Sequence, residues 1–285
     1  MQTEATGFEK ILKGYLGFLE GTGKSRLTIS SYRGDLEVFK KYIQESGIRF
    51  HDLTHEDFDR HHFYLIKRGL KTNTRRRKLI TARSLCRYAL SRKKIDLSPA
   101  QFIKPPERVE KLPWVPKPEE YRDFLKNLTI KTSIGLRNRL LVEMLAETAL
   151  SISELCSLRW EDLEGTRLKV PGKRARALEI SLALLRRLES WKEMNQGKFL
   201  FPGYNRHGMA TARMSPRGVE MMFRAAQARG PLPEMMPKTL RHFCILEWLS
   251  SGVADKEIQR RLGVSSTYSL HAYKQQLAPR QPAAN

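Results

Sequence analysis

Pro237-Lys238-Thr239-Leu240-Arg241-His242-Phe243-Cys244-Ile245-Leu246-Glu247-Trp248-Leu249 places a cationic cluster at the front of a helix whose apolar residues fall on nearly every face. A helix patterned in this way is expected to be buried. A buried arginine must be compensated, because an unpaired charge removed from water is too costly to keep. Either an acidic side chain pairs with Arg241 in the core, or the space beside it is kept for an anion that arrives from outside.

The whole chain favours anions. Its 285 residues carry a formal charge of +22 and an isoelectric point near 10.1. Residues 1–104 hold 22 Lys and Arg against 11 Asp and Glu, and the remainder 30 against 19, so each part contributes +11. Both parts are therefore expected to touch one polyanion, nucleic acid first. An anionic membrane is a weaker candidate, since no apolar run approaches the length of a spanning helix. The opening MQTEATGFEK lacks the regions of a signal peptide, and the expected compartment is a reducing cytoplasm. Cys86, Cys156 and Cys244 are odd in number and widely spaced among apolar neighbours, which points to buried thiols and to no metal site.

Upstream, residues 8–20 repeat apolar side chains at helical spacing and stop at Gly21-Thr22-Gly23. Thr28 is the expected cap of a helix over 29–45, Thr54 precedes one ending near Lys67, and Thr72 or Asn73 opens another that runs to Arg92. That last helix carries Arg75, Arg76, Arg77, Lys78 and Arg83, whose like charges at adjacent turns repel unless something neutralises them. DNA phosphates would do so, and the five are candidate DNA-binding residues. The proline-rich stretch 105–116 is expected to be an extended linker between a helical domain, 1–104, and a second domain, 117–285. The second domain reads as helices near 119–128, 135–148, 152–158, 182–194 and 215–229. A hairpin with Lys173 and Arg174 at its tip and a short strand at 199–201 complete it. The fold class is thus mainly α with a small β-sheet.

Order and residues together resemble the tyrosine recombinases, the integrase family, and within it the Xer-like members. The stretches 28–39 (TISSYRGDLEVF) and 69–90 (GLKTNTRRRKLITARSLCRYAL) are similar to the DNA-binding helices of that family. Thr148-Ala149-Leu150-Ser151-Ile152-Ser153-Glu154-Leu155, Pro237 to His242, and Leu262-Gly263 with Tyr273 are similar to three signatures of its catalytic-type domain. The resemblance implies a two-domain clamp on double-stranded DNA, working as a dimer or tetramer, without metal or cofactor. In that chemistry a tyrosine attacks a phosphate and leaves a 3′-phosphotyrosine and a free 5′-hydroxyl. Cations stabilise the charge that builds up.

On that resemblance Tyr273 takes the place of the nucleophile, Arg241 of the second arginine, and Lys238 of a preceding His or Lys. Arg176 matches the hairpin lysine in an ungapped comparison, with Lys173 and Arg174 as neighbours. His242 is expected to support Arg241. Ser151 stands where the family has its first arginine, a substitution expected to cost roughly 3–4 kcal/mol of transition-state stabilisation. Val264 stands where it has His or Trp, and can neither donate nor stack. The expected function is DNA binding in site-specific recombination or integration with impaired catalysis. An active recombinase in which Arg139, Arg159 or Arg174 substitutes for the lost arginine is the alternative, and a basic RNA-binding protein a remoter one. The tail KQQLAPRQPAAN offers only a short docking arm.

Overall fold

Side-chain oxygens set several of the helix starts. In the computed structural model, which describes residues 2–96, 98–100, 103–109, 112–128, 130–228, 230 and 234–277, the chain divides into two compact units, Met1–Glu110 and Lys111–Asn285. The first unit holds α1 (Gln2–Gly21), α2 (Arg26–Ser46), α3 (His55–Lys67) and α4 (Thr72–Ser91). Ser25, not Thr28, caps α2, accepting from the Thr28 amide at 3.1 Å, so the helix starts a turn earlier than expected. Thr54 and Asp57 cap α3 reciprocally. Leu12, Leu16, Leu36, Phe39, Phe58 and Leu85 lead the apolar core between these helices.

The basic helix α4 is tied into its own unit. Lys78 is only 8% exposed and pairs with buried Asp35 at 2.9 Å, while Arg77 reaches the same carboxylate at 2.8 Å. Lys78 therefore compensates a core charge and is not free to face a polyanion, a correction imposed by the cost of leaving Asp35 unpaired. Arg75 donates to the Leu70 carbonyl at 2.6 Å. Arg76 donates to the Pro106 carbonyl at 2.8 Å and Arg83 to that of Ile103 at 3.4 Å, so both hold the extended segment 103–109 along α4. Residues 110 and 111 of the expected linker lie outside the described residues.

In the second unit, α5 (Pro118–Lys126), α6 (Ser133–Thr148) and α7 (Ile152–Ser157) precede an antiparallel sheet of β1 (Leu163–Glu164), β2 (Arg167–Val170) and β3 (Arg176–Glu179), in that order. The register sets Leu168 opposite Leu178, both buried, and Val170 opposite Arg176. There follow α8 (Leu182–Met194), a second antiparallel pair, β4 (Pro202–Tyr204) with β5 (Ala210–Arg213), α9 (Pro216–Gln227), α10 (Pro237–Ser250), α11 (Asp255–Leu262) and α12 (His271–Leu277). The strand expected at 199–201 begins instead at Pro202. Leu200 and Phe201 are buried core residues, and Phe199 makes only an isolated bridge to Arg159. Helix α10 packs on α6 through Leu240 and Phe243, as its apolar pattern requires. A smaller apolar cluster of Ala149, Cys244, Ile245, Ile258, Leu262, Leu270 and Tyr273 holds α11 and α12. The three cysteines are free and buried. Among the described residues no helix is long and apolar enough to cross a membrane. The C-terminal arm beyond residue 277 lies outside them.

Asp35→Ala would strand Lys78 as an unpaired buried cation. Urea denaturation should show a loss of about 3–5 kcal/mol, most of it recovered when Lys78→Met is added. An Asp35→Ala variant as stable as the parent would show that the pair is not buried in solution.

Candidate active site

The expected residues converge at the N-terminus of α7, the start of β3, the front of α10 and the segment from Gly263 to Tyr273. Helix α6 ends on Ala149, which adopts a left-handed conformation, φ 51°, uncommon for a residue with a Cβ. Its carbonyl thereby accepts from Nη1 of Arg241. Burial loosens the hold of Arg241 on its proton, and the like charge of Arg176 adds to that, while Glu154 and two tyrosines act the other way.

Ser151 caps α7. Its Oγ accepts from the Glu154 amide at 3.3 Å, and Oε2 of Glu154 accepts from both the amide and the hydroxyl of Ser151 at 2.8 Å. The other carboxylate oxygen takes Nη1 of Arg176 at 2.6 Å. Burial alone would raise the Glu154 pKa, but the bonds from Arg176 and Ser151 outweigh it and hold the carboxyl below its ordinary range. Of the hairpin cations, Lys173 and Arg174 are exposed at the tip, whereas the Arg176 side chain is 4% exposed and turned inward. Its Nε also donates to the Arg261 carbonyl at 2.5 Å. Gly263 makes room for it, since a Cβ there would meet Nη1 of Arg176 at 3.1 Å and Cβ of Arg174 at 3.0 Å. The suggested substitutes Arg139 and Arg159 are paired with Glu143 and Glu161.

Tyr273 is 3% exposed. Its hydroxyl lies 2.7 Å from Nδ1 of His242 and 3.2 Å from the hydroxyl of Tyr268. Burial, then the bond to Tyr268, raise the Tyr273 pKa well above that of an ordinary phenol, more than Arg241 lowers it. His242 was expected to support Arg241. The ring instead engages the Tyr273 hydroxyl, because α10 and α12 pack against each other. Its pKa is lowered to about 4, first by burial and then by Lys238 and Arg241, so the ring is neutral near pH 7. Lys238 itself is exposed, and Val264 packs into the small apolar cluster beside α11. Tyr268 was not singled out from the sequence. It lies in an irregular segment, and its only signal was a hydroxyl five positions before Tyr273. Among the described residues no group of three His, Cys, Asp or Glu is placed to hold a metal ion. Chemically, the site combines two guanidinium groups, one carboxylate engaged by Arg176 and Ser151, and a protonated phenol, an arrangement suited to an oxyanion.

Comparison with known proteins agrees on a single family. Residues 116–279 match the model of the phage integrase family, and residues 12–93 that of the phage integrase N-terminal SAM-like domain. The chain is 29% identical over 215 residues to tyrosine recombinase XerC of Xylella fastidiosa strain M23, covering 73% of this chain and 71% of that protein. It is 27% identical over 283 residues to tyrosine recombinase XerC of Neisseria gonorrhoeae, covering 94% and 91%. In fold it is similar to a lambda integrase dimer bound to a COC′ core site, with a TM-score of 0.74, 17% identity, and 97% of this chain and 79% of that one covered.

Because the fold favours neutral His242, the unfolded chain binds a proton first as pH falls. The stability contributed by the neutral ring is complete above the ordinary histidine value of 6.5 and is lost as pH drops from there toward 4. The stability advantage of the protein over a His242→Asn variant, measured by urea denaturation, should therefore shrink across that window. A difference that stays constant from pH 7 to pH 4 would contradict the buried, neutral assignment.

Proposed function

The chain belongs to the phage integrase family, and on that premise we propose that it binds duplex DNA and acts in site-specific recombination or integration, with Tyr273 as the attacking nucleophile. The observation that carries this reading is the position of the Tyr273 hydroxyl, 2.7 Å from His242 on the helix that also presents Lys238 and Arg241. A phosphate seated against Arg241 would have its non-bridging oxygens neutralised as the phenol oxygen attacks. The bond from Tyr273 to phosphorus forms, the bond to the 5′ oxygen breaks, and that oxygen leaves with a proton as a 5′-hydroxyl. Electrostatic stabilisation of this kind is usually the largest single contribution to such a step.

Two features reduce the rate. Ser151 offers no charge, and Val264 offers no hydrogen bond. In the arrangement described, moreover, burial keeps the phenol protonated, so attack requires Tyr273 to leave the contact with His242 and Tyr268. The surface charge supports a polyanionic partner. Arg75, Arg76 and Arg83 are bonded to backbone carbonyls, which leaves their charges uncancelled, and Lys173 and Arg174 are exposed. Assembly as a dimer or tetramer on DNA is part of the proposal, in keeping with lambda integrase structures described as a dimer on a core site and a tetramer on a Holliday junction. Ser151 and Val264 favour a second reading, an accessory DNA-binding protein that does not cut.

Incubation with a nicked duplex carrying its selected target should yield a slow, SDS-resistant adduct that is absent with Tyr273→Phe. Specific binding with no adduct at any time would leave only the accessory reading. Replacing Lys173 and Arg174 together by alanine should weaken binding equally on all sequences and reduce the slope of log K against log salt by about two, without changing stability.

A further inference from the structure

Arg176 has more donors than its surroundings use. A guanidinium carries five N–H groups. Nε is taken by the Arg261 carbonyl, and Nη1 by Glu154 at 2.6 Å and the Arg174 carbonyl at 3.1 Å. Nη2 is buried and finds no acceptor among the described residues. Buried donors without partners are rare, and one on a charged group needs an explanation. Its location supplies one. Glu154 binds Ser151 with one oxygen and Arg176 with the other, so the guanidinium is held on the Ser151 side of the site. Arg241, the second cation, is near enough to feel its charge. Glu154 is bonded to Arg176 and to Ser151, whereas Arg241 bonds the Ala149 carbonyl and feels Glu154 only through space, so the two guanidinium groups face a single carboxylate and one positive charge remains for an anion.

We propose that Arg176 is a catalytic residue that donates through Nη2 to a non-bridging oxygen of the reacting phosphate, replacing the arginine that Ser151 displaces. The idea rests on the DNA-cleaving reading above and gives this side chain the task of binding the phosphate, not that of protonating the leaving oxygen. Arginine suits that task and not the other, since it does not release its proton near neutral pH. Ser151 is then not a gap. It keeps Glu154 in place, and Glu154 orients Arg176.

The test is a binding cycle that needs no chemistry. The Tyr273→Phe protein is titrated against its target duplex with a neutral methylphosphonate placed in turn at each central phosphate. One position should be sensitive, weakening binding by about tenfold through loss of a charge-assisted bond. Arg176→Gln should reduce that penalty to less than about threefold at the same position and leave the neighbouring positions unchanged. Arg176→Lys, which retains the ion pair with Glu154, controls for folding and should give an intermediate penalty. Glu154→Gln should leave the position sensitive but weaken binding there. A merely structural Arg176 predicts equal methylphosphonate penalties with and without the side chain, and that result overturns the proposal. Position-specific coupling without any covalent adduct from the unmutated protein would sink the cleavage reading while keeping Arg176 at the phosphate. Failure to bind duplex at all would end both.

Discussion

A half-buried carboxylate held by three hydrogen bonds, Glu154, is the constraint on which the site depends. It completes the cap of α7 through Ser151 and fixes the start of β3 through Arg176. Arg176 in turn bonds the last turn of α11. Three elements distant in sequence are thus referenced to one side chain. Removing one partner from such a cluster is expensive because the others are left charged and dry. This explains how a helix of six residues, too short to be stable alone, can hold a fixed position.

The same dryness decides the state of the reactive groups. Burial pushes His242 down and Tyr273 up, so the pair is neutral and hydrogen-bonded although cations stand beside it. Desolvation outweighs attraction here because the phenol is nearly sealed from water.

The helical unit and the basic hairpin tip were legible in the sequence because each follows from periodicity, capping or turn signals, whereas Arg241 and Tyr273 were singled out through the resemblance to the integrase family. Three things were not legible. Whether Arg174 or Arg176 turns inward depends on where the hairpin turn ends and β3 begins, with Arg176 the first paired residue, opposite Val170. The commitment of Lys78 to Asp35 joins residues 43 positions apart, and a run of like charges gives no sign of which member finds a buried partner. The partner of His242 depends on how α12 packs on α10, a long-range contact that neither segment encodes alone. Ser151 was read by type, and type alone could not show that Glu154, which it caps, also holds the Arg176 guanidinium of a neighbouring strand.

Helix α12 spans seven residues, and the one it buries is Tyr273. On the proposed reading the attacking side chain is therefore also the anchor of its own helix, and a helix so short does not persist without tertiary contacts. On that reading, carrying the phenol to a phosphate would free the segment that follows Leu270, a residue buried in its own right. The delivered tyrosine then moves on a tether of three residues, and the length of that tether sets its effective concentration at phosphorus. Redocking restores a helix and returns the phenol to His242, so folding of the segment competes directly with attack.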